Sequence, residues 1–188
     1  GVPTMFVLML SHPNYKKYNL STLRTGYMSG AACPIELVKA TIEDMGCNIS
    51  AAYGMTECCC ISITEYGDDA YLKSETVGRP ILDEEMKIVD DERKEVPIGQ
   101  VGEIALRGEN VFKGYYKQPE LTQEAFDSEG WFYTGDLAVK DENGRYRIVG
   151  RKKEMIIKGG FNIYPAEVEE MIYQIPSVQF AAVVGLPD

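Results

Sequence analysis

Apolar and polar positions run in three textures along these 188 residues. Residues 3 to 11, PTMFVLMLS, form a nearly unbroken apolar run behind a Pro suited to a first helical turn, which predicts a buried helix. LRTGYMSG, 23 to 30, reads as a short strand ending in a Gly-Ala-Ala loop. Pro34 then opens a helix with Ile35, Val38, Ile42 and Met45 on one face, and Gly46 ends it. CNISAAYG reads as the next strand. Strand, loop, helix and strand in that order predict an α/β unit with parallel strands. They put YGMTE, residues 53 to 57, at a strand's carboxyl end, where such sheets commonly hold ligands.

From about residue 75 the pattern turns β-rich, through MKIVD, VGEIALRG and YTGDLAVKDENGRYRIVG. Asn143-Gly144 between two apolar-bearing strands predicts a tight hairpin. PELTQEAF predicts a short helix opened by Pro119. After Arg151 come a short strand in EMIIKGG, a loop, a helix from about Pro165 to Gln174, and a strand in VQFAAVV. Pro165 suits the first turn of that helix, and Glu167, Glu169 and Glu170 sit near its positive end. The change of texture sets a domain boundary at 150–153.

Composition narrows the function classes. An apolar content of 45% describes a globular chain able to bury a core. A net charge of -10 excludes a general nucleic-acid surface, although Arg145, Arg147, Arg151, Lys152, Lys153 and Lys158 make a local basic stretch. No apolar run approaches the roughly 20 residues that a membrane helix needs, and GVPTMFVLMLSHP lacks the features of a signal peptide. Cys33, Cys47, Cys58, Cys59 and Cys60 are an odd number in a chain that needs no staples. They are expected as reduced thiols in a cytoplasm or an organelle matrix. A start without Met and a stop at VVGLPD, just after a strand-like run, give the expectation of a piece of a longer protein.

Three stretches carry candidate chemistry. In YGMTE, Gly54 lets the backbone approach a ligand, the Thr56 hydroxyl can donate to a phosphate oxygen, and Glu57 can hold a hard divalent cation shared with a polyphosphate. A loop must present Thr56 and Glu57 together; the bland alternative is an ordinary turn with a capping Thr. Asp136 in YTGD follows a Gly and could accept both hydroxyls of a ribose, or be a hairpin-turn Asp. GRKKEMIIKGGFNIYP sets a cationic cluster against Gly159 and Gly160; the alternative is a solvated charge run before a flexible loop. Cys58, Cys59 and Cys60 in an extended segment would face alternate sides, so they do not converge on one metal. Packing is expected of them, with oxidation at Cys58 that disturbs the neighbouring loop as the rival. His12 is expected at a helix end.

In order and spacing, SGAACP, YGMTE, GEIALRGENVFKGYY, GWFYTGD and GRKKEMIIKGGFNIYPAEVEE resemble the adenylate-forming (AMP-binding) superfamily, which includes acyl-CoA synthetases, peptide-synthetase adenylation domains and beetle luciferases. LRTGYMSGAACP followed by YGMTE, with KGGFNIYPAEVEE, is most similar to medium- and long-chain fatty acyl-CoA synthetases. The resemblance implies an α/β fold. Residues 1–150 would be the C-terminal part of a large AMP-binding domain, an α/β layer plus a β-rich subdomain. Residues 151–153 would be a hinge, and 154–188 the start of a small α+β C-terminal domain.

Residue by residue, it implies that Gly30, Ala31 and Ala32 lie beside adenine and the acyl group, and that Tyr53 stacks on the base with Gly54 in the same nucleotide loop. Thr56 would touch the α-phosphate and Glu57 would help hold Mg2+. Asp136 would bind the ribose hydroxyls, Arg151 would reach the ribose, and Lys153 would be the hinge residue of the catalytic cycle. Gly159 and Gly160 would line the approach of the thiol. The implied reaction converts ATP and a carboxylic acid, expected to be a fatty acid, to an acyl-adenylate and pyrophosphate; CoA then displaces AMP. The alternatives are adenylation of an amino or aryl acid for a carrier-protein thiol, and a non-catalytic binding module. The superfamily's phosphate loop belongs before residue 1 and its catalytic Lys after residue 188, so the chain alone is expected to be inactive. Ile157 stands where beetle luciferases carry a Lys, which argues against that branch.

Overall fold

The computed structural model describes all residues except Leu82, Gln174, Pro176, Gln179, Phe180, Pro187 and Asp188, and omits the side chains of Glu170 and Tyr173. Helix α1 (Pro3–Leu10) starts on its Pro as the pattern predicts. Within residues 1–188 its burial is partial: Phe6 is buried, while Met5, Val7, Leu8 and Met9 are exposed. A helix spreads an unbroken apolar run around its whole circumference. Here α1 packs mainly on one neighbour, α2 (Ile35–Glu43), so one stripe is covered. His12 lies just past the helix end, its N–H donating to the Met9 carbonyl at 3.2 Å.

Strands β1 (Thr25–Ser29) and β2 (Asn48–Met55) flank α2 and pair in parallel, as the element order requires, with Ser29 opposite Ala52. Phe6, Met28, Val38, Met45, Ile49 and Ala51 close one core between this pair and its helices. Two further strands complete a mixed sheet in the order β1-β2-β3-β4: β3 (Cys59–Ile63) and β4 (Arg79–Pro80), both antiparallel to their neighbours. The cysteines depart from a plain extended segment. Cys58 lies in the turn, and Cys59 opens β3 with a left-handed φ of 56°. Between β3 and β4, helix α3 (Ala70–Glu75) is too short for its periodicity to be read in the sequence. Asp69 caps it, accepting the Leu72 N–H at 2.8 Å. Asp69→Ala should therefore lower the unfolding free energy by about 1 kcal/mol, read from the denaturant midpoint.

The β-rich stretch forms an antiparallel meander of β5 (Glu85–Val89), β6 (Gly102–Arg107), β7 (Phe132–Lys140) and β8 (Tyr146–Arg151). Helix α4 (Pro119–Ala125) lies between β6 and β7. The Asn143-Gly144 hairpin joins β7 to β8, and the Asp141 carboxylate secures it by accepting the N–H groups of Asn143 and Arg145, both at 2.8 Å. The two sheets share a core. Tyr53 and Ile61 of the first, with Cys58 from the turn between its strands, interleave with Met86, Ile104, Leu106, Phe132 and Tyr146 of the second. This packing presses the turn after β2 against β7.

After β8, the expected single strand in EMIIKGG is a hairpin of β9 (Ile156–Lys158) and β10 (Phe161–Ile163), turning on Gly159 and Gly160. Helix α5 (Pro165–Tyr173) follows; Gln174, its expected last residue, lies outside the described residues. The strand expected in VQFAAVV is not found at Val178 or 181–184, and Gln179 and Phe180 lie outside the described residues. An apolar run becomes a strand only where a neighbour takes up its backbone N–H and C=O groups. No described helix is long and apolar enough to cross a membrane. The architecture is α/β, a mixed sheet with helices joined to an antiparallel meander.

Candidate functional site

Tyr53, Gly54 and Met55 end β2, and Thr56 and Glu57 lie on the turn that follows. Because β1 and β2 run parallel, the Gly30–Ala32 loop leaves the sheet from the same end as this turn. The pairing of β2 with β3 shifts register between Tyr53 and Gly54. A Cβ on Gly54 would fall 1.8 Å from the Cys59 carbonyl oxygen, so only Gly lets the two strands approach there.

The ribose-acid candidate, Asp136, is not on a hairpin turn. It sits on a bulge inside β7: Glu103 faces Leu137 and Ala105 faces Tyr133, which pushes the Thr134–Asp136 segment out of the ladder with Gly135 at φ +74°. Side chains hold the bulge. Thr134 Oγ1 donates to the Ile104 carbonyl at 3.1 Å and accepts the Asp136 N–H at 3.1 Å. Glu103 Oε1 accepts the Gly135 N–H at 2.9 Å.

Two other candidates converge on the Asp136 carboxylate. The Tyr53 hydroxyl donates to Asp136 Oδ2 at 2.7 Å, across 83 residues of chain. Arg151, its cross-strand partner, puts Nε 3.3 Å from Oδ1. Burial lifts the Asp136 carboxyl above its ordinary value, against the Tyr53 hydrogen bond and the Arg151 charge, which pull it down. Burial, reinforced by Asp136, holds the Tyr53 phenol above its usual range. The Tyr53 ring belongs to the core between the sheets.

Beside this cluster opens a cleft of about 460 Å³, whose walls include Glu57, Tyr115, Gly135, Arg151 and Lys153. Lys153 lies on the short helical turn after β8. Sequence reasoning overlooked Tyr115, which donates its hydroxyl to Glu57 Oε1 at 3.1 Å. The Phe112 N–H donates to the Glu57 carbonyl at 2.7 Å. Both residues belong to VFKGYY, a stretch quoted for its resemblance but given no role. Lys152, expected only as part of the basic stretch and the hinge, has its Nζ 2.8 Å from Asp91 Oδ1 and 3.0 Å from Glu103 Oε2. The basic stretch is therefore more than a solvated run: Arg145 also lies 3.6 Å from Asp68. Gly159 and Gly160 do not line the cleft and occupy the β9–β10 turn with φ of +61° and +84°.

The Thr56 hydroxyl and the Glu57 carboxylate supply hard oxygen donors on one turn. Among the described residues there is no group of three or more His, Cys, Asp or Glu that could cage a metal ion. A single carboxylate suits Mg2+ only where waters and a polyphosphate supply its other ligands. Cys58 is fully buried, and burial pushes its thiol up to about 11. That environment argues against oxidation at this position.

Residues 1–116 match the AMP-binding enzyme family. Over its whole length the chain is 49% identical to YngI of Bacillus subtilis (strain 168), covering 35% of that protein. It is 40% identical to the mitochondrial medium-chain acyl-CoA ligase ACSF2 of Bos taurus, covering 31% of it. The solved structure of amide bond synthetase McbA from Marinactinospora thermotolerans superposes on all of the chain with a TM-score of 0.90 at 33% identity, over 38% of its own length. The chain thus spans about a third of the relatives it matches. Its α/β fold is that of adenylate-forming enzymes, and the chain belongs to the AMP-binding enzyme family.

Proposed function

We propose that this chain is the ribose- and phosphate-facing part, with the hinge, of a longer ATP-dependent acyl-CoA synthetase acting on medium- or long-chain fatty acids. The observation that carries the reading is the buried Asp136 carboxylate meeting Tyr53 and Arg151 at the edge of the cleft. A carboxylate with two oxygens so anchored is preorganised to accept the two hydroxyls of a ribose. Thr56 donates to the α-phosphate, on which the substrate carboxylate forms a P–O bond as pyrophosphate leaves. Glu57, steadied by Tyr115, would hold Mg2+, which would neutralise charge growing on the phosphate oxygens. The Gly30–Ala32 loop borders adenine and the acyl group.

In the second half-reaction the CoA sulfur attacks the acyl carbon and AMP departs. Residues 151–153 serve as the hinge between a large domain ending at 150 and a small one beginning at 154, and Gly159 and Gly160 line the thiol's approach. The medium-chain relative supports a fatty acyl substrate.

Pyrophosphate exchange by the full-length protein with a panel of acids tests the substrate: medium- and long-chain fatty acids should support exchange, and exchange with amino or aryl acids alone would overturn the reading. Lys153→Ala and Gly160→Ala should slow thioester formation at least about tenfold more than adenylation, the effect of roughly 1.4 kcal/mol on one barrier. Equal losses in both halves would contradict the hinge and the thiol channel.

A further inference from the structure

We propose that Glu103 is a positioning residue that ties the ribose-binding bulge to the hinge, an inference that rests on the roles assigned above to Asp136 and Lys153. Its carboxylate is largely shielded, its side chain 13% exposed, and its two oxygens serve two elements. Oε1 accepts the Gly135 N–H at 2.9 Å, and Oε2 takes the Lys152 ammonium at 3.0 Å. The Gly135 N–H needs such an acceptor because the bulge lifts that residue out of the β6–β7 ladder. Lys152 is held from a second side by Asp91 at 2.8 Å.

The position of Lys152 gives this pairing its consequence. It lies between Arg151, which meets Asp136, and Lys153, the hinge residue. Any rotation that carries residues 151–153 away must break the Lys152–Glu103 contact or pull on the bulge that aims Asp136. A carboxylate shared in this way couples occupancy of the ribose site to the setting of the hinge. Charge-assisted bonds from a shielded carboxylate are strong enough to bias such a step.

Three variants of the full-length protein separate the two halves of the tether. Lys152→Met removes only the hinge side. Glu103→Gln keeps an amide oxygen for the Gly135 N–H and loses the charge facing Lys152. Both should change the ratio of thioester formation to pyrophosphate exchange by about fivefold and in the same direction. Glu103→Ala removes both contacts and should add about a tenfold rise in the KM for ATP, larger than in the other two. An unchanged ratio in Lys152→Met, or opposite directions in the first two variants, would overturn the coupling, as would an ATP KM for Glu103→Ala no higher than theirs. Thermal unfolding shows whether Glu103→Ala folds; if it does not, the other two decide by their ratios. Asp136→Ala reports on the underlying reading by itself: unaltered ATP use there removes the ribose role and the inference with it, whereas impaired ATP use with an unchanged ratio in Lys152→Met defeats the tether alone.

Discussion

Asp136→Asn should fold as stably as the parent chain and yet lose ATP-dependent activity by a factor of about 100. Burial raises the carboxyl's pKa in the folded state above its unfolded value. The folded chain therefore binds more protons than the unfolded chain in the window between those two values, and the slope of stability with pH there is negative. The favourable contribution of Asp136 is present below the unfolded pKa and is lost as pH rises through the folded one. Above the folded pKa the ionised group is a cost to folding, borne for binding.

An amide is neutral at every pH and keeps an oxygen for the Tyr53 hydroxyl, while Arg151, whose side chain is 52% exposed, remains solvated without its partner. A hydrogen bond from a ribose hydroxyl to a charged acceptor is worth about 1.5–3 kcal/mol. Losing the charge across two hydroxyls costs about 3 kcal/mol, or roughly a hundredfold in kcat/KM. Thermal unfolding and pyrophosphate exchange on the same preparation check both halves. A melting temperature well below the parent's, or full activity, would refute the assignment.

Gly54→Ala should destabilise the protein by about 3 kcal/mol and lower its melting temperature by roughly 10 °C. The added methyl would lie 1.8 Å from the Cys59 carbonyl oxygen and 2.9 Å from the Cys60 Cα, all backbone. No rotamer change relieves such contacts; the β2–β3 hairpin has to part. Because the turn that presents Thr56 and Glu57 connects those strands, activity should fall with stability. Gly67→Ala is the control, since its Cβ meets nothing within 4 Å. It should leave the melting temperature unchanged or slightly higher, because it restricts only the unfolded chain. Equal melting temperatures for the two variants would show that the hairpin tolerates the methyl group.

Local signals in the sequence were reliable where the physics is local. Pro34 and Pro119 marked helix starts, and Asn143-Gly144 marked a hairpin, because each acts through its own φ or hydrogen bonds, whereas α2 stops at Glu43, short of the expected Met45 and Gly46. The parallel pairing of β1 and β2 followed from element order alone. The apolar run of α1 states what a helix can bury, whereas its partners decide what it does bury, and within this chain, about a third of its relatives' length, α2 covers one stripe. The bulge that carries Asp136 was hidden for a similar reason. YTGD resembles a turn, and only the two-residue advance of β6 against four of β7 makes it a bulge within a strand. Tyr115 and Glu103 could not be found from spacing, since their partners lie 58 and 32 residues away. Both stand in quoted motif stretches, so the signal was membership of a motif without a stated chemistry.

The unequal burial of the cysteines has a practical side. Cys33, Cys47 and Cys58 are buried and Cys60 is partly covered, which leaves Cys59 as the exposed thiol at the mouth of β3. It stands two residues beyond Glu57. A maleimide dye should attach there first, in the unmutated chain, and its emission would then follow the arrival of nucleotide at the neighbouring turn in real time.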